Sequence, residues 1–272
     1  MSSLTRMLAV VDVFTPERPT ATAEDIMLAL GYSRGTAYRY IRELCAFGLL
    51  SRVAGTYTLG PKIIELDYYI RQCDPVLRVG LPIMRHLRDE IDCDVLLTSF
   101  YGDRVVVTHH EKGDGKITVS VGRGRVMPLF RGAGSKPIIA YLPPSRLKRF
   151  FAENAAEIAA SGLGGSWPAF RQSLAAIRRA GYATSVGELD PANAAVGAPI
   201  LMEDGEVAGS IVLVFSRTRF MIVDQKLVAD IAMRAARQIE AGLRAPSGPA
   251  VFSFAAAPAE PALPVQKRRR SK

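Results

Sequence analysis

Between residues 33 and 42 stand Ser33, Arg34, Gly35, Thr36, Tyr38, Arg39 and Arg42, residue types that together can contact nucleic acid. A guanidinium can fork onto O6 and N7 of guanine or onto a phosphate, and Ser and Thr hydroxyls bond phosphate at a helix N-terminus. Gly35 lets a backbone approach closely. Arg52, Thr56 and Tyr57 follow within a short stretch and could reach the flanking phosphates. Glu43 is the acidic residue in their midst. Taken alone, such a face is also that of an ordinary solvated helix, so the surrounding elements must decide.

Other chemistries are weaker. His109-His110-Glu111 invites a metal, but neighbours on a strand point to opposite faces and two such imidazoles converge poorly on one ion. The stretch from Arg131 to Lys136 contains two glycines and a lysine, yet Pro137 follows the lysine and the phosphate-loop order is missing. Gly122 and Gly124 lack the third glycine and the βαβ setting of a dinucleotide site. There is no G-x-S-x-G elbow, and Cys45, Cys73 and Cys93 include no C-x-x-C pair. Neither a cofactor nor a metal is expected.

The elements that would position these residues are written in composition and periodicity. The chain has 272 residues, 35 Lys and Arg against 26 Asp and Glu, and a formal charge of +9. That excess is uneven: residues 1–72 carry +1, residues 73–244 carry +4, and residues 245–272 carry +4. The last segment is rich in Ala and Pro, lacks a helical or strand period and ends in a basic run, so a disordered basic tail is expected, either a solvated end or an auxiliary nucleic-acid contact. No apolar run reaches the roughly 18 to 20 residues of a membrane span, and the first residues lack the ordered parts of an export signal, so a cytoplasmic protein without membrane contact is expected.

Leu4, Met7, Leu8 and Val11 recur at helical spacing and predict an amphipathic first helix, closed off by Pro16 and Pro19. Thr22 and Asp25 have the spacing of a capping box, before an inward stripe of Ile26, Ala29 and Leu30 that Gly31 ends. Ser33 then caps a third helix whose stripe is Ala37, Ile41, Leu44 and Cys45 and whose end is Gly48. A hairpin of residues 49–53 and 56–59, turning at Ala54-Gly55, supplies the wing of a winged helix-turn-helix.

This ordered set resembles the DNA-binding domain of the IclR-type bacterial transcriptional regulators. The resemblance is carried by the Gly31 turn, the Thr36-x-x-Arg39 pair, the Phe47-Gly48-Leu49 exit and the Tyr57-x-Leu59-Gly60 end of the wing. It implies a homodimer or homotetramer that places recognition helices on a pseudo-palindromic double-stranded DNA site, with the helix after Pro61 joining the domains and helping to form the dimer. The domains expected are 1–60 for DNA, 61–73 as linker helix, and 74–244 for effector binding and oligomerisation, before the tail at 245–272.

Beyond Asp74-Pro75, an inward series of Val76, Val79, Ile83, Leu87 and Ile91 predicts a long helix that Pro82 kinks or divides. Period-two strands are expected at 95–101, 104–110, 117–121, 182–186, 197–202 and 207–215, with helices at 135–141, 144–154, 168–180 and 224–243. The fold class is therefore α+β, an antiparallel sheet flanked by helices of GAF-like or profilin-like shape. The resemblance continues through MPLFRGAGSKPIIAYLP, RRAGYATSVGELDP and VGAPILMEDGEVAGSIVLVFS. It places Phe130, Arg131, Gly132, Ser185, Glu188, Ala195, Val212 and Val214 at a small-molecule effector pocket. Where members that bind small polar acids have Asp, Cys and two Ser, this chain has Ser185, Ala195, Val212 and Val214. An apolar floor, the Phe130 ring and the Arg131 guanidinium would suit an aromatic or other apolar carboxylate. Val212 and Val214 could equally be plain sheet core, with Arg131 in solvent. An enzyme using Arg131, Lys136 and Glu188 on a small acid, or a DNA-binding protein without an effector, also fits the sequence.

Overall fold

The computed structural model describes residues 2–114 and 122–245. The strand expected at 117–121 and the tail beyond 245 lie outside them. The N-terminal unit contains α1 (Ser3–Leu8), a 3-10 turn at Val11–Val13, α2 (Ala23–Leu30), α3 (Arg34–Phe47) and the hairpin β1 (Leu50–Val53) and β2 (Thr56–Leu59). Both halves of the Thr22–Asp25 capping box form, and Gly31 and Gly48 end α2 and α3 with φ of 65° and 80°. The first helix stops short of the expected stripe, and Leu4 and Leu8 are exposed. After Leu8 the α-helix gives way to the tighter 3-10 turn, which brings Val10, Val13 and Phe14 inward instead, onto Ile26, Tyr40, Ile41, Leu44 and Leu50. Ala29 is likewise exposed, and Tyr40 is more buried than the expected Cys45. Hydroxyls of Tyr40 and Tyr32 reach Ser3 and the Arg6 carbonyl, at 3.0 and 2.8 Å, and tie α1 down.

Linker helix α4 (Pro61–Cys73) has Pro61 in its first turn and no buried residue; Ile64, Leu66, Tyr68, Tyr69 and Ile70 face solvent. Asp74 ends α4 and caps α5 (Pro75–Ile91), accepting from the amides of Val76 and Leu77. α5 passes through Pro82 as one helix, and its buried face is Val76, Leu77, Gly80, Met84 and Leu87, with Val79, Ile83 and Ile91 at the margin.

The sheet is antiparallel throughout, in the order β5-β4-β3-β8-β7-β6. Its strands are β3 (Asp94–Tyr101), β4 (Arg104–Glu111), β5 (Val126–Met127), β6 (Ala183–Val186), β7 (Asn193–Leu201) and β8 (Val207–Ser216). Successive side chains alternate faces, so Val95, Leu97, Ile211 and Leu213 meet α5 and α10 (Gln225–Arg244), while Leu96, Val212 and Val214 face the other way. On that second face α6 (Ser135–Ala140) lies against β7 and β8, and α7 (Pro144–Ala160) and α8 (Trp167–Ala180) pack outside it around a further apolar cluster; α9 (Arg217–Phe220) links β8 to α10. α7 outlasts its expected end at Asn154, which leaves helical geometry at φ −133° and ψ 26° while its side-chain amide donates to the Phe150 carbonyl. A polar side chain competing for a backbone carbonyl kinks the helix there rather than ending it.

Candidate DNA-binding face and effector cavity

Burying Ala37, Tyr40, Ile41 and Leu44 forces the opposite face of α3 outward, and Arg34, Tyr38, Arg39 and Arg42 are exposed on it. Gly35, Tyr38, Arg39 and Arg42 border one groove with Arg52 and Tyr57 of the wing. The Arg34 guanidinium lies 5.6 Å from the Tyr38 ring centre and that of Arg39 5.3 Å from Tyr40, and among the described residues neither has a carboxylate partner. Arg42 meets Glu43 at 3.2 Å with both side chains well exposed, a pair worth at most about 1 kcal/mol that a phosphate could displace.

Three expected DNA contacts are occupied otherwise. Ser33 sits at the cap position of α3 but donates to the Thr36 hydroxyl at 3.0 Å and makes no side-chain capping bond. Thr56 donates to the Val53 carbonyl at 2.9 Å, inside the wing turn. Tyr57 is 8% exposed, and its backbone pairs with Ala21, so it builds the core under the wing and presents only an edge to the groove.

In the second domain, Ser185, Ala195, Val212 and Val214 border one cavity of about 50 Å³. Leu96 and Thr98 from β3, Met127 from β5, Leu189 and Asp190 from the β6–β7 loop, and Asn193 and Ala194 at the start of β7 complete its wall, together with Ala133 and Gly134. Sequence reasoning missed these; the period of β3 puts Leu96 and Thr98 on one face, but the loop and edge-strand residues had no such signal. Thr98 and Ser210 share a 2.8 Å hydrogen bond, and Ser210 donates to the Gly134 carbonyl at 2.8 Å, fixing the start of α6 against the sheet. Ser185 is 6% exposed and lines the cavity. Asp190 accepts from the Ala192 amide and the Asn193 side chain, so it braces its own turn.

The other expected pocket residues lie outside this wall. Phe130 is 1% exposed and packs edge-on against Phe150 and Phe170, with ring centres 6.3 Å away in each case. It is core between α7 and α8, not an aromatic wall. Arg131 is exposed and donates to the Glu188 carbonyl. The Glu188 carboxylate accepts from the Gly132 amide at 2.9 Å and pairs with Lys136 at 2.5 Å. Arg131, Lys136 and Glu188 are thus brought together, but Arg131 and Lys136 both bond to Glu188 and tie residues 131–136 to the segment after β6. Leu189 closes over Gly132, where a Cβ would lie 2.8 Å from a Leu189 methyl and φ is +85°.

His109 turns to Glu111 at 2.8 Å and His110 to Asp94 at 2.7 Å, so the two imidazoles diverge. Among the described residues no cluster of His, Cys, Asp and Glu could hold a metal ion, and no helix is long and apolar enough to cross a membrane. Burial pushes the Cys93 thiol up to about 12 and raises that of Cys45.

Residues 3–54 match the family model described as the IclR helix-turn-helix domain, and residues 69–241 match the one described as bacterial transcriptional regulator IclR C-terminal. The HTH-type transcriptional regulator KipR of Bacillus subtilis is 25% identical over 243 residues, covering 87% of this chain and 96% of its own. An IclR homologue from Microbacterium hydrocarbonoxydans, solved in complex with 4-hydroxybenzoate, shares the fold with a TM-score of 0.72 at 22% identity, over 90% of this chain and all of its own. An IclR transcriptional regulator from Alicyclobacillus acidocaldarius gives 0.71 at 22% identity, over 89% and 97%. With both domain models matched in order along most of its length, the chain belongs to the IclR family of bacterial transcriptional regulators.

Proposed function

We propose that this regulator binds operator DNA through the groove between α3 and the wing, and that a small, largely apolar effector in the sheet cavity changes that binding. Arg34, Arg39, Arg42 and Arg52 are the main DNA contacts, with Tyr38 and the Ser33–Thr36 pair beside them. Two copies present two such faces to a pseudo-palindromic site, and the exposed apolar residues of α4 are the surface available for pairing. The observation that carries the effector reading is the cavity wall, in which Leu96, Met127, Ala195, Val212 and Val214 outweigh a few polar groups.

An aromatic or other apolar acid is the class proposed, with its apolar part against the valines. The Microbacterium homologue bound to 4-hydroxybenzoate supports an aromatic acid in this fold. At about 50 Å³ the cavity is well below the roughly 300 to 1,000 Å³ of most ligand sites, so entry requires Leu189 and its loop to move outward. A thermal-shift panel of benzoate, 4-hydroxybenzoate, medium-chain fatty acids and two-carbon polar acids, followed by gel shifts, tests this. Stabilisation by the aromatic or aliphatic members and altered DNA binding are expected; stabilisation by the polar two-carbon acids alone would sink the apolar-cavity reading.

A further inference from the structure

The linker helix touches the effector domain through a small charged cluster. Arg123, in the loop before β5, places Nε and a terminal nitrogen on one Asp67 oxygen at 2.8 and 2.7 Å, and its other terminal nitrogen donates to the Thr108 carbonyl of β4. Arg71 takes the second Asp67 oxygen at 2.7 Å. Burial alone would raise the Asp67 carboxyl, but the bonds from Arg123 and Arg71 outweigh it and hold it below its ordinary range. At the end of the same helix, Asp74 spends one carboxyl oxygen on capping α5, while the other is buried without a hydrogen-bond partner among the described residues. An orphaned buried oxygen leaves the present arrangement incompletely satisfied at the junction of α4 and α5.

The loop that carries Arg123 leads directly to the cavity. Gly124 donates to the Val107 carbonyl at 2.8 Å, Val107 donates back to Arg125 at 2.9 Å, and Met127, paired with Val105, lines the cavity. Arg125 reaches Glu17 of the DNA-binding domain at 4.0 Å. Three residues of chain therefore separate a cavity wall from a grip on the linker. β5 is a two-residue edge strand, easily moved, and α4 has no buried residue of its own to hold it.

We propose that the Arg123–Asp67 contact is the latch through which occupation of the cavity reaches the linker helix. A ligand that displaces Met127 draws β5 and Arg123 off Asp67, and α4 is freed to reset the DNA-binding domains. This rests on the effector reading above, and the coupling must be reciprocal: DNA that favours the latched state disfavours the filled cavity.

Hydrogen–deuterium exchange on the full chain tests the latch with probes that need no known effector. Asp67→Asn opens it directly, and Ala195→Leu fills the cavity in place of a ligand. Each is expected to raise exchange in residues 62–73 several-fold, and the double variant to add nothing further. Ala195→Val, a milder filler, serves if the leucine does not fold. Unchanged linker exchange in Asp67→Asn, or a folded filler that leaves the linker protected, overturns the latch. Ligand binding in the thermal-shift panel without a linker response also overturns it while sparing the effector reading. An empty panel with both variants opening the linker supports the latch and removes the effector reading.

Discussion

Gly60 lies directly on Gly48: a Cβ on Gly60 would sit 2.1 Å from the Gly48 carbonyl oxygen. The Gly60 amide donates to the Leu49 carbonyl at 2.8 Å, and the Lys62 amide to the Gly48 carbonyl at 3.1 Å. The end of the wing is thereby fastened to the end of the recognition helix. Gly60→Ala should push these backbones apart and destabilise the N-terminal unit by about 1 to 3 kcal/mol. Trp167 is the single tryptophan and lies in the second domain, so its fluorescence reports that domain alone. Far-UV circular dichroism should show an earlier urea transition in the variant while the fluorescence midpoint holds; a shift in both would mean the domains unfold as one.

Arg39 is the guanidinium placed on the groove with a ring, not a carboxylate, beneath it. Arg39→Ala should weaken binding to a duplex selected from a random library by about 1 to 3 kcal/mol and relax preference at one position per half-site. Arg42→Ala should instead weaken all sequences alike if it contacts phosphate, with a shallower salt dependence. Equal affinity of wild type and Arg39→Ala in a gel shift would remove α3 as the reading element.

Phe130 is a packing residue in this structure. Truncation to alanine opens a hole among Phe150 and Phe170 and should cost about 3 to 5 kcal/mol, read from Trp167 fluorescence on unfolding. Wherever the variant remains folded, ligand preference in the thermal-shift panel should be that of the wild type. A changed preference with little loss of stability would restore Phe130 to the cavity wall.

The three cysteines should separate cleanly by reactivity. Cys73 is exposed at the end of α4, whereas burial pushes the Cys93 thiol to about 12 and raises Cys45. At pH 8 a thiol at that value is ionised to only about one part in ten thousand, against roughly a quarter for an ordinary one. Iodoacetamide followed by peptide mass spectrometry should label Cys73 first and Cys93 only on unfolding; early labelling of Cys93 would show that the β3 end opens in the native state.

Local chemistry was legible in the chain. Thr22 with Asp25, Gly31, Gly48 and Pro61 mark helix ends through interactions within a few residues, and each does so in the structure. The period-two reading of β3 and β8 announced an antiparallel sheet with helices around it, and the near-continuous burial of both strands shows that its two faces are covered. Stripes at the margins were harder to read: Leu4, Leu8 and Ala29 match helical spacing, but among the described residues no element packs over them and they are exposed.

By itself, the sequence determined the order of the longer elements, though not the short β5 and α9, together with the basic outer face of α3 and the apolar character of Ala195, Val212 and Val214, because these follow from periodicity and residue type. Tertiary structure alone decided which side chains share a site. Phe130 and Arg131 adjoin cavity residues in sequence yet face a separate core and a loop carbonyl, while Leu96, Met127 and Leu189 come from distant segments to complete the wall. Arg123 and Asp67, 56 positions apart, could be paired only once β5 lay along β4 and the linker helix crossed its end. Direction and partnership of a side chain depend on what the rest of the chain packs against it, and that information is non-local.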